Sequence, residues 1–349
     1  MSITLCRTTM LRFVLSIALF GWGALLAASP LPELVVYTYD SFLSDWGPGP
    51  GLKKGFEAQC ACQIKWVSAA DGAAILARLK IEGKSSKADL VMGIDESLAA
   101  TADQLDLFID SQLKFPENNS RMPFKPSTKY IPFDYGFYGF MFDSKAKQKN
   151  GAPFPKPTSL DQLLTMKEFR RSLLIQDPRS SAAGLGLLLW LQTVYGNDLD
   201  KRLEQLKSQT LTVTKGWSDS YGLFTKGEAP IVFSYTTSEA YHREIENENR
   251  YQALIFPEGH IAAVETAAIL KTSKNPKLGK QFLEFILTEE SQKIISTKNW
   301  MYPVIYPRSG LPHAFATIQY PKKTLRAAPD EIEKSRKAWN LKWEKVFLK

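Results

Sequence analysis

Tyr130-Ile-Pro-Phe-Asp-Tyr-Gly-Phe-Tyr-Gly-Phe-Met-Phe142 is strongly aromatic, with glycines at 136 and 139. It is long for a single strand, and the glycines permit a bend, so it reads as a crossing between two lobes. The chain on either side supports that reading. Before it come a β-rich run Leu34-Val-Val-Tyr-Thr38, a helix-like Leu52-Lys-Lys-Gly-Phe-Glu-Ala58, and a strand Gln63-Ile-Lys-Trp-Val67. An amphipathic helix then starts at Asp71, which sits in the N-cap place, and Ala88-Asp-Leu-Val-Met-Gly93 and a helix over 95–107 complete the set. After the crossing the alternation resumes, with a helix over 159–171, a strand over 173–177 and an apolar helix over 184–195. A helix over 198–207, strands at 211–214 and 231–234 with a helix at 218–226 between them, and a helix from Ser238 follow. This order predicts an α/β fold of two doubly wound lobes with parallel sheets, joined by hinge crossings.

Further strands at 251–256 and 262–270 and helices over 276–296 assign residues 29–130 plus about 243–293 to one lobe. Residues 131–242 plus about 294–349 form the other. The last helix, from Pro329, gathers Ile332, Trp339, Trp343, Val346 and Phe347 on one face.

The 349 residues exceed one ordinary domain, and the balance of 44% apolar to 23% charged residues excludes a disordered or fibrous chain. Residues 1–28 stand apart. They hold no acid, carry Arg7 and Arg12 ahead of an apolar run from Phe13 to Ala27, and read as a cleaved secretory signal peptide. Its removal takes the bases from 44 to 42 and leaves 36 acids, so the formal charge falls from +8 to +6. The remaining bases are interspersed with acids, which argues against a nucleic-acid partner. Export leaves Cys60 and Cys62, spaced for a demanding two-residue bridge or for two partly buried thiols. Neither these nor the scattered His242, His260 and His313 form a metal site.

Candidate binding residues cluster where strands give way to helices, the place where open α/β sheets hold ligands. Backbone N–H groups and hydroxyls at Asp71-Gly72, Ser180-Ser181 and Thr236-Thr-Ser238 suit an oxyanion. Tyr39, Trp46, Trp217, Tyr235, Tyr241 and Trp300 lie at loops or junctions, where they suit a flat or cationic ligand. Gly184 and Gly186 lack a dinucleotide fingerprint and serve helix packing instead.

Tyr37-Thr-Tyr-Asp-Ser-Phe42, Asp45-Trp-Gly-Pro-Gly-Pro50, Gln176-Asp-Pro-Arg179, Gly184-Leu-Gly-Leu-Leu-Leu-Trp190, Val213-Thr-Lys-Gly-Trp217, Ser234-Tyr-Thr-Thr-Ser238 and Asn299-Trp-Met-Tyr-Pro303 resemble the periplasmic thiamine-binding proteins of bacterial ABC importers. The likeness covers roughly residues 32–347. It implies a type II periplasmic binding protein fold, a monomer in the periplasm, no cofactor and no catalysis. The transported ligand would be thiamine, thiamine monophosphate or thiamine diphosphate, and the partner an ABC transporter permease with its ATPase subunit. By the same resemblance, Asp71, Gly72, Ser181 and Ala182 meet the phosphates. Trp217, Tyr235, Thr236, Thr237 and Ser238 line the site, and Tyr39, Trp46, Tyr241 and Trp300 bound its aromatic wall. The family can carry Thr where this chain has Ala182, so only a backbone N–H remains there.

Two other classes fit the same fold less well. A thiaminase-like transferase needs a cysteine nucleophile, and Cys60 and Cys62 fall away from the strand-to-helix tips; Gly216-Trp-Ser-Asp-Ser220 also lacks the last glycine of a nucleophile elbow. Ferric-ion relatives use neighbouring tyrosines, whereas Tyr235 and Tyr241 stand six apart, and a polyamine would need convergent carboxylates.

Overall fold

The computed structural model describes residues 30–115, 122, 127–326 and 329–348; the signal peptide expected at 1–28 lies outside them. The first part of the chain forms β1 (Glu33–Tyr39), α1 (Asp40–Leu43), α2 (Gly49–Cys60), β2 (Gln63–Ala69), α3 (Gly72–Glu82), β3 (Leu90–Asp95) and α4 (Glu96–Gln104). The aromatic segment is a single long strand, β4 (Ile131–Asp143). Then come α5 (Leu160–Thr165), β5 (Leu173–Gln176), α6 (Ala182–Tyr195), α7 (Leu199–Gln209), β6 (Thr210–Thr214), α8 (Trp217–Thr225), β7 (Ile231–Tyr235) and α9 (Ser238–Glu244). The remainder is β8 (Tyr251–Leu254), β9 (His260–Ile269), α10 (Pro276–Ile286), α11 (Glu289–Lys298), β10 (Tyr302–Pro303), α12 (Ala314–Thr317), β11 (Thr324–Leu325) and α13 (Pro329–Phe347).

The strands run in the order β2-β1-β3-β9-β4-β7-β5-β6. The flanking triplets match the parallel expectation: β1 pairs in parallel with β2 and β3, and β5 with β6 and β7. The centre does not. β4 uses Ile131–Phe137 against β9 and Tyr138–Phe142 against β7, and both pairings are antiparallel. β8 runs antiparallel along Phe140–Asp143, so β8 and β9 together retrace the length of β4 in reverse. The physical reason is directional. If β4 carries the chain from one triplet to the other, a strand that brings it back alongside must run the opposite way.

Local signals hold at the helix starts that matter for the site. Asp71 caps α3 by accepting from Ala73 N, Asp95 caps α4 by accepting from Leu98 N, and Ser181 caps α6 by accepting from Gly184 N. The helix expected over 159–171 is shorter, because Met166 is extended and a 3-10 turn at Lys167–Phe169 follows. One core spreads from α3 and α4 through the buried leucines and Trp190 of α6 to Trp339 and Trp343 of α13. Gly186 lets α6 settle on Tyr138, whose ring would lie 2.4 Å from an added Cβ. Cys60 and Cys62 are joined as a disulfide at the end of α2, which settles the choice the sequence left open.

Candidate ligand-binding cleft

The carboxyl ends of β1, β3 and β7 and the N-termini of α3, α6 and α8 surround a cavity of about 370 Å³. That volume lies within the range of small-molecule sites. Of the residues named from sequence, Tyr39, Trp46, Asp71, Gly72, Ala182, Trp217, Tyr235, Thr237, Ser238, Tyr241 and Trp300 line it. Close approach shapes this end of the site. Gly93 has φ +88°, and an added Cβ would sit 2.3 Å from the Tyr39 ring.

Ser181 and Thr236, also named from sequence, are not among the residues that line the cavity. Thr236 is buried with its methyl against Gly139, turned away between cavity-lining Tyr235 and Thr237. Ser181 is wholly buried, and its hydroxyl donates to Asp71 Oδ2 at 2.8 Å while Ala182 N donates to Asp71 Oδ1 at 2.7 Å. The donors expected to hold a phosphate are thus engaged by a carboxylate from α3. Burial raises the Asp71 pKa to about 6, and the donors from Ala182, Ser181 and Ala73 work against that rise. Ser218 Oγ donates to Asp40 Oδ1 at 3.0 Å, a second tie between the early and middle segments of the chain.

Two aromatic groupings form the walls. Trp217 stacks on Tyr221 with centroids 4.7 Å apart, and Tyr235 stacks on Tyr138 at 5.3 Å. Trp300 meets Tyr241 edge-on at 5.9 Å and stacks on Phe315. Trp300 holds φ +55°, a conformation uncommon for a bulky residue and found where surroundings over-determine the backbone. Trp46 stands at the rim, 52% exposed.

The acidic floor was not read from sequence. Tyr39 Oη donates to Glu265 Oε2 at 2.7 Å. Asn299 Nδ2 lies 2.7 Å from Asp134 Oδ2 and 3.1 Å from Glu265 Oε2, and the two carboxyls hydrogen-bond each other. Burial, then the neighbouring carboxylate, pushes Asp134 well above the usual carboxylate range. Burial is also the main cause that raises Glu265, to about 7. Asp95, another lining residue, is raised by burial and accepts from Tyr138 Oη at 2.6 Å. A signal for the floor existed: Asp134 is the one acid within the aromatic stretch 130–142, and Glu265 the one acid in the apolar run 262–270. An acid inside a buried strand is costly and therefore marks a site. Tyr221 had a signal too, since it lies four residues after Trp217 on one helix face.

A cavity with facing rings and a proton-sharing acidic floor can bind a flat cation: π faces attract the charge, and a cation restores the ionised carboxylate that burial disfavours. Among the described residues, no three His, Cys, Asp or Glu side chains are grouped to hold a metal ion.

Comparison with known proteins agrees with this geometry. Residues 48–293 match the family model of the bacterial extracellular solute-binding proteins. The chain is 45% identical to the thiamine-binding periplasmic protein of Escherichia coli over 325 residues, 92% of this chain and 96% of that protein. It is 36% identical to the Haemophilus influenzae protein of the same name, over 96% of this chain and 98% of that one. A solved periplasmic thiamin binding protein superposes with a TM-score of 0.85 at 44% identity, covering 91% of this chain and 96% of the other. A ferric binding protein from Campylobacter jejuni, with a TM-score of 0.73 at 18% identity over 90% of this chain and 99% of the other, shares the fold alone. The chain therefore belongs to the bacterial extracellular solute-binding proteins and, within them, to the family of thiamine-binding periplasmic proteins.

Proposed function

We propose that this protein captures thiamine in the cleft between its lobes, in the periplasm, and delivers it to an ABC importer without altering it. The observation that carries the reading is the pairing of ring walls with the Glu265 floor. Thiamine presents a flat aminopyrimidine and a permanent thiazolium cation, and the Trp217–Tyr221 and Tyr138–Tyr235 stacks offer π faces to both. Family membership places the chain among binding proteins, not enzymes. Carboxylates do converge, as a polyamine site requires, but Asp134 and Glu265 hydrogen-bond one another and Asp71 is committed to α6, which leaves little spaced negative charge.

Residues 1–28 act as the signal peptide, and the mature protein works as a monomer that docks on the permease and its ATPase subunit. On this reading the outward crossing lies near Phe137–Tyr138 of β4, where the partner of β4 changes from β9 to β7, and the return lies in the link at 255–259 between β8 and β9, later than the boundary near 243 expected from sequence. Hinge motion there closes the lobes on the ligand. Thiamine monophosphate and diphosphate are accepted in the same cleft when Asp71 yields its place at α6. The test is a titration of refolded, ligand-stripped protein with thiamine, followed by tryptophan fluorescence and calorimetry. Saturable quenching with a matching heat at micromolar thiamine is expected; neither signal at that concentration overturns the reading.

A further inference from the structure

The edge of β4 that carries β8 and β9 has a gap between them. The ladder to β9 stops at Phe137 opposite Ala262, and the ladder to β8 starts at Phe140 opposite Leu254. Tyr138, which is buried, and Gly139 therefore face the link at 255–259, where no strand runs. A buried backbone carbonyl needs a donor. His260, the first residue of β9 and wholly buried, fills the gap with its side chain. Its Nδ1 lies 2.8 Å from Tyr138 O, and its Nε2 receives the Phe256 N–H at 2.8 Å. One imidazole thus replaces the missing rung and ties the outward strand to the return link.

The two partners fix the state of the ring. A backbone carbonyl only accepts and a backbone N–H only donates. The proton therefore sits on Nδ1, Nε2 is bare, and the histidine is neutral. The local sequence makes room for it. An added Cβ at Gly139 would lie 2.9 Å from the Thr236 methyl and 3.4 Å from His260 Nδ1. Gly259, at φ +97°, turns the link, and its carbonyl accepts from Trp190 Nε1 at 2.8 Å. The Trp190 ring packs on the imidazole with centroids 4.9 Å apart. From sequence, His260 was one of three scattered histidines and Gly139 a place to bend; the fold joins them at one point.

We propose that His260 is the positioning residue of the hinge: it clasps the outward crossing at Tyr138 to the return link at Phe256, so that the two crossings turn as one. The inference goes beyond the thiamine reading and uses the hinge described there. Tyr138 lines the cavity, stacks on Tyr235 and donates from Oη to Asp95, so a shift of its backbone moves part of the site. Without the clasp the crossings are independent, and closure has to fix both at a cost in conformational entropy that the clasp has already removed.

Charging the ring would break the clasp, because an Nε2–H would face the Phe256 N–H. The surroundings resist that charge. Burial is the largest influence and lowers the His260 pKa, while the bond to the Tyr138 carbonyl and the nearby Glu258 oppose it. Trp190 of α6 and Phe256 of the link pack on the ring and carry no charge.

The test joins nitrogen-15 NMR of the histidines to thiamine titrations of the wild type, His260→Gln and His260→Phe at about pH 7.5, above the range in which an ordinary histidine titrates. NMR should show His260 neutral with its proton on Nδ1. Glutamine offers a donor and an acceptor on one planar amide, whereas phenylalanine keeps a ring but neither bond. His260→Gln should hold thiamine affinity within about threefold, and His260→Phe should lose roughly tenfold, the scale of one buried hydrogen-bond partner removed. A residue that serves stability alone would lower the melting temperature on substitution and leave affinity unchanged. In the wild type, thiamine should also slow hydrogen exchange at the Phe256 amide, because closure locks the clasp.

An Nε2–H or charged His260 at that pH, a folded His260→Phe protein of undiminished affinity, a His260→Gln loss as large as that of His260→Phe, or unchanged exchange at Phe256 on saturation with thiamine would each overturn the proposal. If His260→Phe does not fold, the exchange measurement on the wild type still decides. If the wild type binds no thiamine at all, the thiamine reading fails, while the histidine spectrum still decides whether the clasp has the stated bonds.

Discussion

Two sides of the cleft, the acidic floor and the ring wall around Trp217, divide recognition between them. Asp134 and Glu265 supply charge, with Tyr39 and Asn299 donating to them, and the four are drawn from β4, β9, β1 and the end of α11, with Tyr39 and Asn299 separated by 260 positions. Trp217, Tyr221, Tyr235 and Ser238 supply ring faces and oriented hydroxyls from one short stretch around α8, β7 and α9. The acids must survive burial among apolar strands, which they do by sharing a proton and accepting from Tyr39 and Asn299. The rings need no such compensation. One side stores a preference for positive charge; the other gives shape and contact area.

The first way to break this division is to remove each side's central residue. Trp217→Ala deletes a stacked anchor, and truncation of such an anchor costs about 2–4 kcal/mol of binding. Glu265→Gln keeps the shape and most of the hydrogen bonds but abolishes the charge, at about 1.5–3 kcal/mol, the usual value for a bond to an ionised group. Calorimetric titration with thiamine should rank them in that order. A larger loss for Glu265→Gln would make charge, and not ring contact, the dominant source of affinity.

A smaller effect sharpens the role of the acidic floor. Glu265 is raised to about 7 in the folded protein, and a cation beside it favours the carboxylate, so the bound form has the lower pKa. Below about pH 7, thiamine binding should release a proton, and affinity should climb with pH and then level off above about 7. Folding shows the opposite slope. Because the folded pKa lies above the ordinary 4.5, the contribution of Glu265 to stability is complete below about 4.5 and is lost as pH rises through about 7. Calorimetry in buffers of different ionisation enthalpy measures the released proton directly. Equal heats in all buffers near pH 6 would mean that Glu265 does not face the cation.

The contrast between the sides also explains what could be read from the amino-acid sequence. Trp217, Tyr235, Ser238 and Tyr241 sit at strand-to-helix junctions, where a local rule links position in the chain to position in the fold. Asp71 announced itself as a helix cap for the same reason. Asp134 and Glu265 face one another because β4 and β9 pair antiparallel with Asp134 opposite Glu265, a register that depends on where the chain turns back. No periodicity within either strand encodes that register, so the acids were visible as oddities but not as partners. The antiparallel centre of the sheet escaped notice on the same grounds. The Asp71 contact of Ser181 was not legible because a cap residue and a ligand-facing residue have the same local sequence, and only the arrival of Asp71 brings the two together.

Asp71 offers the finest test, because it stands where the two sides meet. Its carboxylate occupies the N-terminus of α6 by accepting from Ala182 N and Ser181 Oγ, the donors that the family resemblance assigned to phosphate. With its pKa at about 6, Asp71 is largely ionised at neutral pH, so a phosphate approaching α6 meets a like charge as well as occupied donors. Asp71→Asn retains one acceptor oxygen for the cap of α3 and removes the charge. It should leave thiamine affinity nearly unchanged and raise the affinity for the monophosphate relative to thiamine by roughly fivefold, about 1 kcal/mol, the scale of one charge at a helix N-terminus. Competition between the two ligands on one protein sample measures that ratio without reference to absolute affinities. A ratio that stays put would mean that the phosphate lies elsewhere in the cleft; a ratio that falls would mean that Asp71 itself holds the phosphorylated ligand, in its protonated form.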